Sequence, residues 1–93
     1  MSESFNIDEF IVINDLKYRG KKSKSSGGYI FVTNNNENYV IMILNENKPL
    51  SIKKIGDFVS FTSKIEKRGV IAIVDKYGDV TYYSISEIKL NKR

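Results

Sequence analysis

The chain has 93 residues and a formal net charge of +4, so it is long enough for one small domain and is moderately basic. It contains no cysteine and no histidine, which removes disulfides, thiolate metal sites, a cysteine nucleophile and the commonest general base. We therefore predict one domain spanning residues 1–93, with frayed ends at 1–4 and 91–93. We expect a cytoplasmic, non-enzymatic protein with no catalytic residues, cofactor, metal, membrane contact or small-molecule substrate.

The charges in the first quarter of the chain are segregated. The charged residues before position 16 are all acidic. Residues 17–24, in contrast, carry five positive charges, Lys17, Arg19, Lys21, Lys22 and Lys24. Serines and the pair Gly27-Gly28 follow, so residues 17–28 are predicted to form a solvent-exposed basic loop. Two interpretations stay open: the loop pairs with the acidic start of the chain, or it binds phosphate or an acidic protein.

In chain order, β-branched residues predict a first strand at Phe10–Tyr18, although Asn6 followed by Asp8 and Glu9 also fits a short capped turn. Five further apolar or alternating runs predict the remaining strands: Gly28–Thr33, Tyr39–Leu44, Phe58–Ile65, Val70–Val74 and Val80–Ser84.

Short polar segments connect these runs. The main ones are Asn34–Asn38 and Asp75–Asp79, and a closing helical turn is predicted within Ile85–Leu90. We interpret Asp75 and Asp79 as turn-forming residues rather than cation ligands, since a calcium loop needs more oxygen ligands. The pattern predicts an all-β fold, a single small antiparallel barrel of five to six short strands, because closure removes exposed strand edges.

Residues 54–90 resemble the strands of small barrel superfolds. Gly56-Asp57 followed by Phe58–Ile65 resembles a strand entry found in OB folds and in SH3-like modules such as KOW and Tudor domains. Arg68–Val74 and Gly78–Ile88 resemble the later strands and closing turn of an SH3-like barrel. The resemblance implies a superfold, OB-like or SH3-like, and carries no functional residues.

The leading functional prediction is a nucleic-acid-binding module, single-stranded or weakly sequence-selective. Lysines and arginines of the basic loop would neutralise phosphates, and Tyr29 and Tyr39 would stack on bases. The predicted site is thus Lys17, Arg19, Lys21, Lys22, Lys24, Tyr29 and Tyr39.

The alternative is a protein-interaction module with an interface at Arg68, Tyr82 and Tyr83, since arginine and tyrosine are favoured anchors at interfaces. Such a module would be an accessory subunit of a DNA polymerase, replication or transcription assembly, or a viral or phage inhibitor of such an enzyme. Its partner would be a larger protein of a nucleic-acid-processing assembly.

Overall fold

The structure, a computed structural model, describes residues 6–34 and 36–85. Within these ranges the chain forms two α-helices and five β-strands. Their bounds, in chain order, are α1 Ile7–Tyr18, β1 Ser23–Ser26, β2 Tyr29–Asn34, β3 Glu37–Asn45, α2 Ile52–Lys64, β4 Arg68–Val74 and β5 Val80–Ile85.

The five strands form one open sheet in the order β1-β2-β3-β4-β5. Neighbouring strands are antiparallel except β3 and β4, which run parallel from the pair Tyr39–Arg68 to the pair Asn45–Val74. A parallel pair needs a crossover connection, and α2 supplies it. The predicted closed all-β barrel is therefore wrong, because β1 and β5 are the free edges of a mixed α/β sheet.

The two helices cover opposite faces of this sheet. On one face, Val12 and Leu16 of α1 pack with Ile30, Ile41 and other buried residues of the central strands. On the other face, Phe58 of α2 packs with Val40 and Met42 of β3. Strand β3 is buried on both faces, which explains its apolar sequence from Val40 to Leu44.

Helix α1 replaces the predicted first strand Phe10–Tyr18. The side chain of Asn6 caps the helix by accepting a hydrogen bond from the backbone N–H of Glu9 at 3.0 Å. Acidic residues lie in the first turn and Lys17 in the last, as the helix dipole favours. Val12 and Leu16, one turn apart, are fully buried. The cap and this burial outweigh the β propensity of Phe10–Ile13.

Helix α2 replaces the predicted strand Phe58–Ile65. Ser51 caps it by accepting from the backbone N–H of Lys54 at 3.2 Å. Phe58 and Thr62 are buried, and Ile55 and Ile65 pack on the same core at helical spacing. The residues that were interpreted as strand alternation thus form the apolar face of a helix.

The prediction that residues 17–28 form a loop is also wrong. Lys17 lies in the last turn of α1, Arg19 is its C-cap residue, and Ser23–Ser26 pair with β2 as an edge strand. Only Gly20–Lys22 and the turn at Gly27-Gly28, where both glycines have positive φ, connect these elements.

The strands predicted near Gly28–Thr33, Tyr39–Leu44, Val70–Val74 and Val80–Ser84 are confirmed as β2 to β5. The Asp75–Asp79 turn is confirmed too: the Asp75 carboxylate accepts hydrogen bonds from the backbone N–H groups of Tyr77 and Asp79, both at 2.9 Å. Predictions on 1–4, 91–93 and most of the closing turn lie outside the described residues. In the described part of the chain, neither helix is long and apolar enough to cross a membrane.

Candidate nucleic-acid interface

One end of the sheet holds seven of the twelve basic residues in the part of the chain that the structure describes. The end of α1, the end of α2 and the starts of β3 and β4 meet there, because β3 and β4 are parallel and both helices run antiparallel to them. We call this surface the basic edge and define it by seven residues: Lys17, Arg19, Lys21, Lys22, Lys64, Lys67 and Arg68. Of these seven, all but Lys21 and Lys67 are exposed.

An ion pair crosses the middle of the basic edge. The ammonium group of Lys21 donates to Glu37 Oε1 at 2.9 Å, which joins the segment after α1 to the first residue of β3. This hydrogen bond raises the pKa of Lys21 and lowers the pKa of Glu37, and the nearby charge of Arg68 lowers the latter further. Lys21 is therefore held protonated and Glu37 ionised at neutral pH.

A second polar group ties α1 to strand β5. Asp15 Oδ2 accepts two hydrogen bonds, from Arg19 Nε at 2.8 Å and from the hydroxyl of Tyr82 at 2.6 Å. Burial, followed by the hydrogen bond to the Asp15 carboxylate, raises the pKa of Tyr82 well above its usual range. The Asp15 bond likewise raises the pKa of Arg19, so both donors keep their protons.

The structure brings together four of the five basic residues predicted to bind nucleic acid, namely Lys17, Arg19, Lys21 and Lys22. Lys24 lies on edge strand β1, paired in register with Phe31. Lys64, Lys67 and Arg68 extend the basic surface, and sequence reasoning did not include them in the nucleic-acid site. Their signal, a basic cluster just before an apolar strand, was visible in the sequence.

The two predicted stacking tyrosines lie on opposite faces of the sheet. Tyr29 begins β2 on the α2 face, where its ring stacks on Phe61 with centroids 5.1 Å apart and contacts Phe58 at 5.2 Å. Tyr39 begins β3 on the α1 face, at the basic edge, and packs against the core. Both are half-buried, and only Tyr39 adjoins the charges it was expected to accompany.

The residues of the predicted protein interface diverge in the same way. Arg68 belongs to the basic edge. Tyr82 points to the α1 face and packs against that core, whereas Tyr83 remains 54% exposed. The three side chains therefore do not form one patch, since neighbouring strand residues face opposite sides of the sheet.

The opposite end of the sheet holds a cleft of about 870 Å³ between the starts of the two helices. Its two carboxylates already have partners: Asp8 accepts from the Asn45 side-chain amide at 3.0 Å and 3.1 Å, and Glu9 accepts from the Ser25 hydroxyl. Within residues 6–34 and 36–85, no three side chains of the metal-ligating types come together. The basic edge is therefore the better candidate site.

Comparison with known families agrees with a nucleic-acid function. Residues 6–82 match the model of the tRNA intron endonuclease, catalytic C-terminal domain. The chain belongs to this endonuclease family. The predicted non-enzymatic binding module and accessory subunit are therefore wrong, because the family is that of a catalytic domain. The coarser expectation of a nucleic-acid partner is consistent with the family.

Two archaeal relatives illustrate the match. The tRNA-splicing endonuclease of Pyrococcus horikoshii is 36% identical over 93 residues, covering 94% of this chain and 54% of that protein. The tRNA-splicing endonuclease of Methanococcus vannielii is 30% identical over 90 residues, covering 87% of this chain and 51% of that protein. The chain thus spans about half the length of the curated relatives it matches.

The fold also has a close counterpart among solved structures. The Holliday junction resolvase Hjc of Archaeoglobus fulgidus superposes with a TM-score of 0.68 at 14% identity, covering 83% of this chain and 69% of that one. This similarity supports a shared α/β fold. It replaces the predicted OB-like or SH3-like resemblance, which rested on residues 54–90 as strands although 52–64 form α2.

Proposed function

We propose that this chain is the catalytic domain of a tRNA-splicing endonuclease and acts on intron-containing precursor tRNA. The observation that carries the proposal is the family match over residues 6–82. The relatives named as tRNA-splicing endonucleases support it, as does the clustering of exposed basic residues at one end of the sheet. The substrate is RNA, whose phosphates attract lysine and arginine in a salt-dependent way.

In this proposal the basic edge binds the RNA backbone around the bond to be cut. Lys21, in the segment after α1, and Arg68, the first residue of β4, flank Glu37, the first residue of β3, and both side chains are cationic. Fixed positive charges of this kind stabilise the charge that develops on a phosphate during strand cleavage. Since the chain has no histidine, proton transfer within it falls to lysine, tyrosine or carboxylate groups.

The predicted RNA contacts are Arg19, Lys21, Lys22 and Arg68, with Lys17 and Lys67 on the flanks. Tyr39 lies at the same edge, where it begins the parallel pairing of β3 with β4 in register with Arg68. Of the two tyrosines predicted to stack on bases, Tyr39 is the one at this edge, where a bound base would lie.

The test is cleavage of an end-labelled precursor tRNA that contains an intron, with the same tRNA lacking the intron as control. We expect the precursor alone to be cut, and we expect binding to weaken as salt rises, with a slope of roughly −0.7 to −0.9 for each phosphate neutralised. If the full chain neither cuts the precursor nor binds it in a salt-dependent way, the proposal is overturned.

A further inference from the structure

Arg19 is fixed in place by two residues of different elements. It is the C-cap residue of α1, its Nε donates to Asp15 Oδ2 at 2.8 Å, and its guanidinium lies 5.3 Å from the ring centroid of Tyr82. The Tyr82 hydroxyl donates to the same carboxylate oxygen at 2.6 Å. Asp15 and Tyr82 are 67 positions apart in the sequence, so this arrangement exists only in the folded chain.

The exposure of the Arg19 side chain indicates a function beyond stabilising the fold. The side chain of Arg19 remains 52% exposed, whereas that of Asp15 is 26% exposed. Within the described residues only Nε of the guanidinium is hydrogen-bonded, so its terminal amino groups are available to an external acceptor. The guanidinium fork matches the geometry of phosphate oxygens, which it binds through two parallel N–H groups.

Fixing an exposed arginine before binding has a physical advantage. A free arginine samples many rotamers, and binding then costs the entropy of ordering it. The Asp15 carboxylate and the Tyr82 ring restrict this motion in advance. Neither contact prevents Arg19 from binding a phosphate. The Asp15 charge is shared with the Tyr82 hydroxyl, and the Tyr82 ring attracts the guanidinium without occupying its N–H donors.

We propose that Asp15 and Tyr82 are positioning residues that hold Arg19 ready to bind a phosphate of the RNA backbone at the basic edge. The inference rests on the proposed function for the identity of the ligand. It assigns roles to two residues that contact no RNA themselves, and it places the α1–β5 junction in the substrate-binding surface.

The experiment measures the affinity of the full chain for the precursor tRNA in a double-mutant cycle of Tyr82→Phe and Arg19→Ala. Tyr82→Phe keeps the ring but removes the hydroxyl that orients Asp15. We expect it to weaken binding about threefold to tenfold, the cost of re-ordering one arginine side chain. In the Arg19→Ala background the same change should have no further effect, and Arg19→Lys should restore part of the affinity.

Two further measurements separate positioning from mere stability. Tyr77→Phe, a matched change on the exposed turn at the opposite end of the sheet, should leave the affinity unchanged. In the free protein, the Nε–Hε NMR signal of Arg19 should be resolved in the wild type and in Tyr77→Phe, and displaced in Asp15→Asn and Tyr82→Phe.

An equal loss of affinity from Tyr82→Phe in both backgrounds would overturn the inference, because it would indicate a structural effect independent of Arg19. So would an Nε–Hε signal that is unaffected by Asp15→Asn. If Arg19→Ala left RNA binding and cleavage intact, the inference would fail and the proposed function would survive. If the wild-type chain bound no RNA, both would fail.

Discussion

The hydroxyl of Tyr82 on β5 donates a hydrogen bond to the carboxylate of Asp15 on α1, and this bond links the two elements. The pKa of Tyr82 is raised in the folded state, so the protonated hydroxyl stabilises the fold. This contribution to the free energy of unfolding is fully present below the unfolded pKa of about 10, and it is lost as the pH rises toward the folded pKa. We predict that the free energy of unfolding falls above about pH 10, and falls less steeply in Tyr82→Phe.

At neutral pH, Tyr82→Phe should lower the free energy of unfolding by about 1.5–3 kcal/mol, the usual net value of a hydrogen bond to a charged group. Urea denaturation between neutral and alkaline pH measures both effects, with Tyr77→Phe as the exposed control. Parallel pH profiles for the wild type and Tyr82→Phe would contradict the assignment.

Glu37 is the acid at the centre of the basic edge, paired with Lys21 at 2.9 Å. We predict that Glu37→Gln strengthens binding of the precursor tRNA by roughly threefold, because a negative charge beside the phosphate path is removed and Lys21 is released. Stability should change little, since an ion pair at the surface that remains accessible to solvent contributes little to folding. Filter binding at two salt concentrations provides the measurement, and weaker binding would show that Glu37 has a positive role.

Among elements, the contact of α2 with β4 depends on the absence of a side chain at Gly69. A Cβ there would lie 3.2 Å from Phe58 Cε2 and 3.3 Å from Thr62 Cγ2, both in buried residues. We predict that Gly69→Ala lowers the free energy of unfolding by about 1–3 kcal/mol through overpacking. Urea denaturation measures this loss.

The matched control is Gly56→Ala on the exposed side of α2, where an added Cβ meets nothing within 4 Å. That variant should be more stable than the wild type by up to about 1 kcal/mol, because alanine favours a helix. If Gly69→Ala also stabilised the protein, the close packing of α2 on β4 would be contradicted.

The elements differ in how far their sequences determine them. Strands β3 and β4 contain the continuous apolar runs Tyr39–Leu44 and Val70–Val74, each followed by turn residues, and such runs are predictable. The helices were missed because Phe10–Ile13 and Phe58–Ile65 contain β-branched and aromatic residues that also suit strands. The caps Asn6 and Ser51 were the local signals that could have identified them.

At the scale of the whole molecule, the basic segment 17–24 could be predicted from the sequence, but the surface that it forms with other elements could not. Lys21 and Arg68 are 47 positions apart, and both lie near Glu37 only because α2 carries the chain across the sheet to a parallel strand. A meander of antiparallel hairpins would have placed β4 in the opposite direction. Strand direction therefore decided the candidate site, and no local residue pattern encodes it.

The central claim is that RNA is bound and cut at the basic edge, and a pair of charge reversals tests it most directly. Lys67→Glu with Arg68→Glu alters this edge, whereas Lys48→Glu with Lys76→Glu makes the same change in net charge within the loops at the other end of the sheet. The measurement is the rate of precursor tRNA cleavage at fixed salt. We predict a loss on the order of tenfold or more for the first variant and little change for the second. Equal losses, or a larger loss in the second variant, would contradict the account.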